Sequence, residues 1–143
     1  MVVNHLEANK EITTKTMLVK SLKNYYKSNV QYVEQNYQVF ESIPLSYVVT
    51  SKLDTYEYKQ FLQHFEAIDK SRKNQGQMRQ RIAGLVPLKH CEGNIWLVKP
   101  ANENQGKGIK IFDNATDITR FIETSLQFSH WVIQKYLERP LLY

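Results

Sequence analysis

The sequence predicts an α/β architecture, and three observations carry that expectation. Short β-favouring runs end in turn residues, amphipathic helical stretches lie between them, and two of the runs flank a glycine-bearing turn around Gly106 and Gly108. Trp96 to Val98 forms the first of the flanking runs, stopped by Pro100, and Ile109 to Phe112 forms the second. A last run opens at Trp131-Val132-Ile133 and continues through Leu137 towards Pro140. The order strand, strand, helix, strand places these elements in a region from 94 to 143. Residues 1–93 form an N-terminal region with helices and a basic stretch.

In chain order, Glu11 to Tyr26 sets Met17, Leu18, Leu22, Tyr25 and Tyr26 at three- and four-residue spacings, which predicts an amphipathic helix. Asparagines, Ser28 and glutamines then interrupt the pattern, predicting a loop before a short strand over Leu45 to Val49. From Asp54 the periodicity is cleanest: Tyr58, Phe61, Leu62, Phe65 and Ile68 share one face, with Asp54 and Glu57 as a capping pair. His64 lies beside that stripe with no second ligand at metal-binding spacing, so it reads as a packing histidine. Ala83 to Leu88 is an apolar connection into the hairpin. Asp113 to Asp117 starts a further helix whose inward positions are Ile118, Phe121, Ile122 and Leu126.

Composition bounds the rest. A chain of 143 residues that is 42% hydrophobic can bury a core. No apolar run approaches the ~18 to 20 residues that cross a bilayer, and no signal-peptide core opens the chain, so neither a membrane nor export is expected. Cys91 is the only cysteine, which excludes an intrachain disulfide and a cysteine-based zinc cluster within one chain. The net charge of +5 is local in origin. Lys70, Arg72, Lys73, Arg79 and Arg81 occur together without an acid and with Asn74, Gln75, Gly76 and Gln77 between them, which reads as a mobile basic loop rather than a nucleic-acid surface.

The chemistry points to the hairpin. Gly106 and Gly108 permit positive φ and close approach of backbone N–H groups to an anion, while Lys99 and Lys107 supply countercharge. ATP is the obvious anion, although a lysine before a Gly-x-Gly turn also occurs in ordinary solvated hairpins.

Asn94-Ile95-Trp96-Leu97-Val98-Lys99-Pro100 followed by Gln105-Gly106-Lys107-Gly108-Ile109, and later Trp131-Val132-Ile133-Gln134-Lys135-Tyr136-Leu137-Glu138-Arg139-Pro140-Leu141-Leu142, resembles the tubulin tyrosine ligase-like family. Thr13 to Lys20 and Pro44 to Val48 are similar to further family segments, whereas 50 to 93 matches loosely. The resemblance implies the N-terminal part and first half of an ATP-grasp fold, α/β (α+β) in class and incomplete at the C-terminus. It also implies ATP with Mg2+ as cofactor, a carboxylate activated as an acyl phosphate, and an amino acid attacking it to form an amide. On the same resemblance Lys99 contacts the α and β phosphates, Gln105, Gly106, Lys107 and Gly108 form the cover, and Gln134, Lys135, Tyr136 and Leu137 line the adenine site. Lys15 approaches phosphate. Lys99 is then expected across a cleft from Lys135.

The motif wording is closer to the ciliary glycylase and glutamylase branches, which implies tubulin or another microtubule or axonemal protein as partner and a place in the cytoplasm, cytoskeleton and cilium. The basic loop would suit an acidic tail, and would equally be an ordinary solvated loop. Family catalysis also uses metal-binding carboxylate and Glu-x-Asn positions and a Lys-Phe-Asp-x-Arg segment beyond the Pro-Leu-Leu, and this sequence does not reach them. Glu103, Asp113, Asp117, Glu123 and Glu138 are too scattered to replace them, so the Mg2+ ligands are expected to be missing. Two readings stay open: a piece of a larger ligase, or a shortened relative that keeps the fold for binding microtubules without catalysing. With half a fold, the Trp131 to Tyr143 region is expected to pack on a partner or to stand exposed.

Overall fold

The computed structural model describes residues 9–35, 38–73 and 93–139. It is a mixed structure of helices and one antiparallel sheet, the α/β class expected from the sequence.

The first predicted helix is two. A short α1 (Lys10–Thr13) is followed by α2 (Lys15–Ser28), and between them the backbone at Thr14 is extended. The apolar stripe expected on α2 is only partly covered: Met17, Leu18 and Tyr25 are exposed, Leu22 and Tyr26 are half-buried, and Val19 is buried. Part of the expected loop is helical, because Asn29 Oδ1 accepts from the Gln31 N–H and caps α3 (Val30–Glu34). After a 3-10 turn at Val39–Glu41 the chain enters β1 (Ser46–Thr50), then α4 (Tyr56–Lys73). The Thr55 hydroxyl accepts from the Tyr58 N–H at 3.2 Å, so α4 is capped one residue later than the expected Asp54. Glu57 instead pairs with Lys23 at 3.0 Å and accepts from the Val48 N–H, joining α2, α4 and the edge strand β1.

Beyond residue 93 come β2 (Trp96–Pro100), β3 (Lys110–Phe112), α5 (Ala115–Thr124) and β4 (His130–Lys135). Asn114 starts α5 by accepting from Thr116 and Asp117. The helix stops at Thr124, which leaves Leu126, expected inward, 88% exposed. The strand order is β1-β4-β2-β3, each neighbour antiparallel. Because β1 pairs with β4, the regions before and after residue 93 share a single sheet.

One face of that sheet carries the core. Tyr47 and Val49, Trp96 and Val98, and Trp131 and Ile133 alternate along β1, β2 and β4, and all are buried with Tyr58, Phe61, Phe65 and Ile68 of α4 and Ile118 and Ile122 of α5. Aromatic edges fill the interior, with Phe61 T-shaped on Trp96 at 5.1 Å and Phe128 on Trp131 at 5.1 Å. Buried Asn94 donates to the Phe65 carbonyl and to Asp69 and accepts from the Trp96 indole, fixing α4 against the start of β2. Trp131 to Ile133 and Lys135 are therefore interior to this chain, while Pro140 to Tyr143 lie outside the described residues. The strand ends at Lys135, with Tyr136 and Leu137 exposed beyond it.

Candidate functional site

The second face of the sheet follows from the register. Lys99 is paired with Val132, Leu97 with Gln134, and Gln134 with Ser46, so alternation puts Leu97, Lys99, Val132, Gln134 and Ser46 on the side away from Trp96. The Lys99 ammonium donates to Gln134 Oε1, and Gln134 Nε2 donates to Ser46 Oγ at 3.0 Å. Ser46 Oγ in turn donates to the Pro44 carbonyl at 2.7 Å. Three neighbouring strands thus hold one lysine in place. Helix α2 packs against β1 and β4, and its first residue, Lys15, comes close enough to Lys99 for its charge to be felt there. Burial first, and the Lys15 charge second, hold the Lys99 ammonium below the ordinary lysine range. Neither lysine is ion-paired with a described residue.

Lys15 also donates to the backbone carbonyl of Glu103, in the loop between β2 and β3. That loop is built from left-handed residues: φ is +56° at Gln105, +77° at Gly106 and +70° at Gly108. The last two need glycine for different reasons. A Cβ at Gly106 would meet open space, so only backbone conformation demands it, whereas at Gly108 a Cβ would lie 2.8 Å from Pro100 Cγ. Lys107 and the loop tip are exposed.

Lys15, Lys99 and Gln134 are brought together, with Lys15 reaching the loop at Glu103; Lys135 is not part of this group. It pairs with Trp96 across the ladder, so its side chain lies on the core face, 1% exposed. Its ammonium donates to Glu138 and to the Ile95 carbonyl, both at 3.0 Å, and sits 5.8 Å from the centre of the Trp96 ring. Glu138 also accepts from the Gly93 N–H. The expected cleft between Lys99 and Lys135 is therefore corrected: two lysines on adjacent strands point to opposite faces because the residues that separate them put them out of phase. Tyr136 and Leu137 continue the strand carrying Gln134, and the Tyr136 N–H is taken by the Ile95 carbonyl at 3.0 Å.

The basic loop is corrected in part. Lys70, Arg72 and Lys73 are exposed in the last turn of α4, where cations complement the helix dipole, and Lys70 lies 3.9 Å from Glu66. Arg79 and Arg81 lie outside the described residues, as do Cys91 and Ala83 to Leu88. Sequence reasoning missed the Glu103 carbonyl and the Ser46 hydroxyl. A backbone carbonyl carries no residue-type signal, and Ser46 showed only as part of the segment from Pro44 to Val48.

Two cations, Lys15 and Lys99, therefore lie near one another by a loop with left-handed residues, with no acid among the described residues paired to either. A cluster of three or more His, Cys, Asp or Glu that could hold its metal is not found among the described residues. The whole chain, residues 1–143, matches the tubulin-tyrosine ligase family. The chain belongs to that family. Human tubulin monoglycylase TTLL3 is 37% identical over 68 residues, which is 44% of this chain and 9% of that relative. Tubulin glycylase 3C of Tetrahymena thermophila is 41% identical over 51 residues, 36% of this chain and 5% of that protein. Tubulin glycylase 3A of Drosophila melanogaster is 46% identical over 50 residues, 34% and 5% respectively. The matched stretches thus span less than a tenth of each of these relatives. No helix among the described residues is long and apolar enough to cross a membrane.

Proposed function

We propose that this family member grips the triphosphate of ATP with Lys15, Lys99 and the loop of Gln105, Gly106, Lys107 and Gly108, for a ligase that attaches an amino acid to tubulin. Gln134 orients Lys99, and because the Lys135 and Tyr136 N–H groups are taken by the Leu45 and Ile95 carbonyls, the strand end would meet the purine through the backbone at Leu137. ATP, when bound, supplies the phosphoryl group that activates a carboxylate before an amine attacks it. The observation that carries the reading is the unpaired, partly desolvated Lys99 beside Lys15 and the left-handed loop. A polyphosphate would relieve both the desolvation and the repulsion. The glycylase names of the relatives favour glycine as the added residue and tubulin as its acceptor, and an axonemal, ciliary setting is proposed on the sequence resemblance alone.

Titration calorimetry with ATP is the test. Lys99→Met should weaken binding about tenfold or more, since a charged hydrogen bond contributes about 1.5 to 3 kcal/mol. It should leave the melting temperature unchanged or slightly raised. A wild-type chain that takes up no ATP overturns the reading.

We further propose that Lys70, Arg72 and Lys73, with Arg79 and Arg81, attract the acidic tail of tubulin. The three described residues are exposed at the end of α4. Neutralising all five should preserve folding and weaken microtubule pelleting most at low salt. Pelleting equal to wild type at every salt concentration rules the patch out.

A further inference from the structure

The loop that follows Pro100 is anchored unevenly. At its start the Ala101 N–H donates to the His130 carbonyl at 3.0 Å, and within it Lys107 donates to the Asn104 carbonyl and Ile109 to the Gly106 carbonyl, at 3.1 and 3.3 Å. Those internal bonds shape the turns but fix them to nothing else. Beyond the Ala101 bond to β4, the loop is tied to another element by Lys15, 88 residues away in sequence, through the Glu103 carbonyl. That carbonyl is neutral and leaves the lysine charge uncompensated, and an ammonium has three donors. One donor on the loop leaves two for a second acceptor, and Lys99 lies close by on the floor of the sheet.

We propose that Lys15 is a positioning residue that couples an anion held at Lys99 to the glycine-bearing loop, by donating to the Glu103 carbonyl and to the bound phosphate from one ammonium. The inference rests on the phosphate reading above and adds to it a mechanical link. With no anion, Lys15 tethers the loop loosely, because its charge also repels that of Lys99. With phosphate between the two cations the repulsion becomes attraction, and the same ammonium draws the backbone of residues 103–108 down on the ligand. The left-handed residues let the loop follow without clashing at its tip, since Gly106 faces open space.

Hydrogen exchange of the amides of residues 102–109, in the full chain with and without inorganic tripolyphosphate, reads both halves. In the wild type, tripolyphosphate should slow loop exchange. In Lys15→Met the loop should exchange about tenfold faster without anion, and saturating tripolyphosphate, held by Lys99 and checked by calorimetry, should no longer slow it. Protection in β2 and β4 should be unchanged. Lys15→Arg, which keeps a cation there, should recover the anion-induced slowing, which a merely structural defect would not allow. A second readout is the Lys99 titration followed by its 13Cε shift, which should move to higher pH in Lys15→Met. Unchanged loop exchange in anion-free Lys15→Met overturns the tether alone. Anion-induced slowing that persists in Lys15→Met overturns the coupling. A wild-type chain that binds no tripolyphosphate overturns the phosphate reading and the coupling with it.

Discussion

Lys99 and Lys135 stand on adjacent strands of one sheet, yet they live in opposite chemistries. On the core face, Lys135 is sealed from water and its charge is matched by Glu138, by the Ile95 carbonyl and by the Trp96 ring. On the second face, Lys99 has an amide oxygen for company and a second lysine nearby, and it is held below its ordinary range. The first lysine is complete within the fold, while the second is an unfinished interaction. The difference teaches that lysine in a motif says little until strand phase is known. A buried, paired cation serves the architecture, whereas a desolvated cation with no described acid beside it is where the proposed ligand is to be tested.

The sharpest way to break this comparison is to remove each cation in turn. Lys135→Met removes the ammonium that Glu138 pairs with at a strand end where Glu138 also holds the Gly93 N–H, and losing one member of a buried pair costs about 3 to 5 kcal/mol. Thermal unfolding should then fall by roughly 10 °C or more. Lys99→Met should show no such fall. If the two variants melt together, the assignment of one lysine to architecture and the other to ligand fails.

The glycine loop sharpens the same contrast between faces. Gly108 presses on Pro100, which is paired with Trp131 on the core face, whereas Gly106 faces solvent. An alanine at either position takes a left-handed conformation that costs about 1 to 2 kcal/mol, and at Gly108 the contact with Pro100 is added. Urea unfolding should therefore show Gly108→Ala to be the more damaging by about 1 kcal/mol or more. Equal losses would mean that the stem of the loop yields as readily as its tip.

How far these features could be read in advance depended on the kind of signal. The stripe of α4 was legible because Tyr58, Phe61, Phe65 and Ile68 repeat at helical spacing, and the structure buries all four. The hairpin strands were legible from Trp96, Val98 and the glycines. The length of α4 was not, because Lys70 to Lys73 carry no apolar period. They do favour helix, and their charges suit its C-terminal end, a propensity that composition alone disguised as loop. The side on which Lys135 points was beyond reach for another reason: phase is a property of the pairing between Trp96 and Lys135, which no run of residues states. Likewise Leu126 fits the period of α5, but the helix ends two residues before it.

The smallest expected effect is a pH dependence on the core side of the comparison, and it comes from His64. Tyr47 is buried, and burial together with the Glu57 charge keeps its phenol protonated, with its hydroxyl hydrogen-bonded to Nδ1 of His64. Burial also lowers the His64 pKa below its ordinary 6.5. As the pH falls through the unfolded value near 6.5, the unfolded chain takes up a proton that the folded chain refuses, so stability declines until the folded pKa is passed. Between pH 7.5 and pH 5.5, roughly, the urea midpoint should drop by an amount worth about 1 kcal/mol or less. His64→Gln keeps an acceptor for Tyr47 but cannot titrate, and subtracting its profile from that of the wild type isolates the contribution. A difference profile that is flat through this window, or that rises as the pH falls, would show that the pocket of α4 tolerates the imidazolium and that the core face is less sealed than the burial of Lys135 implies.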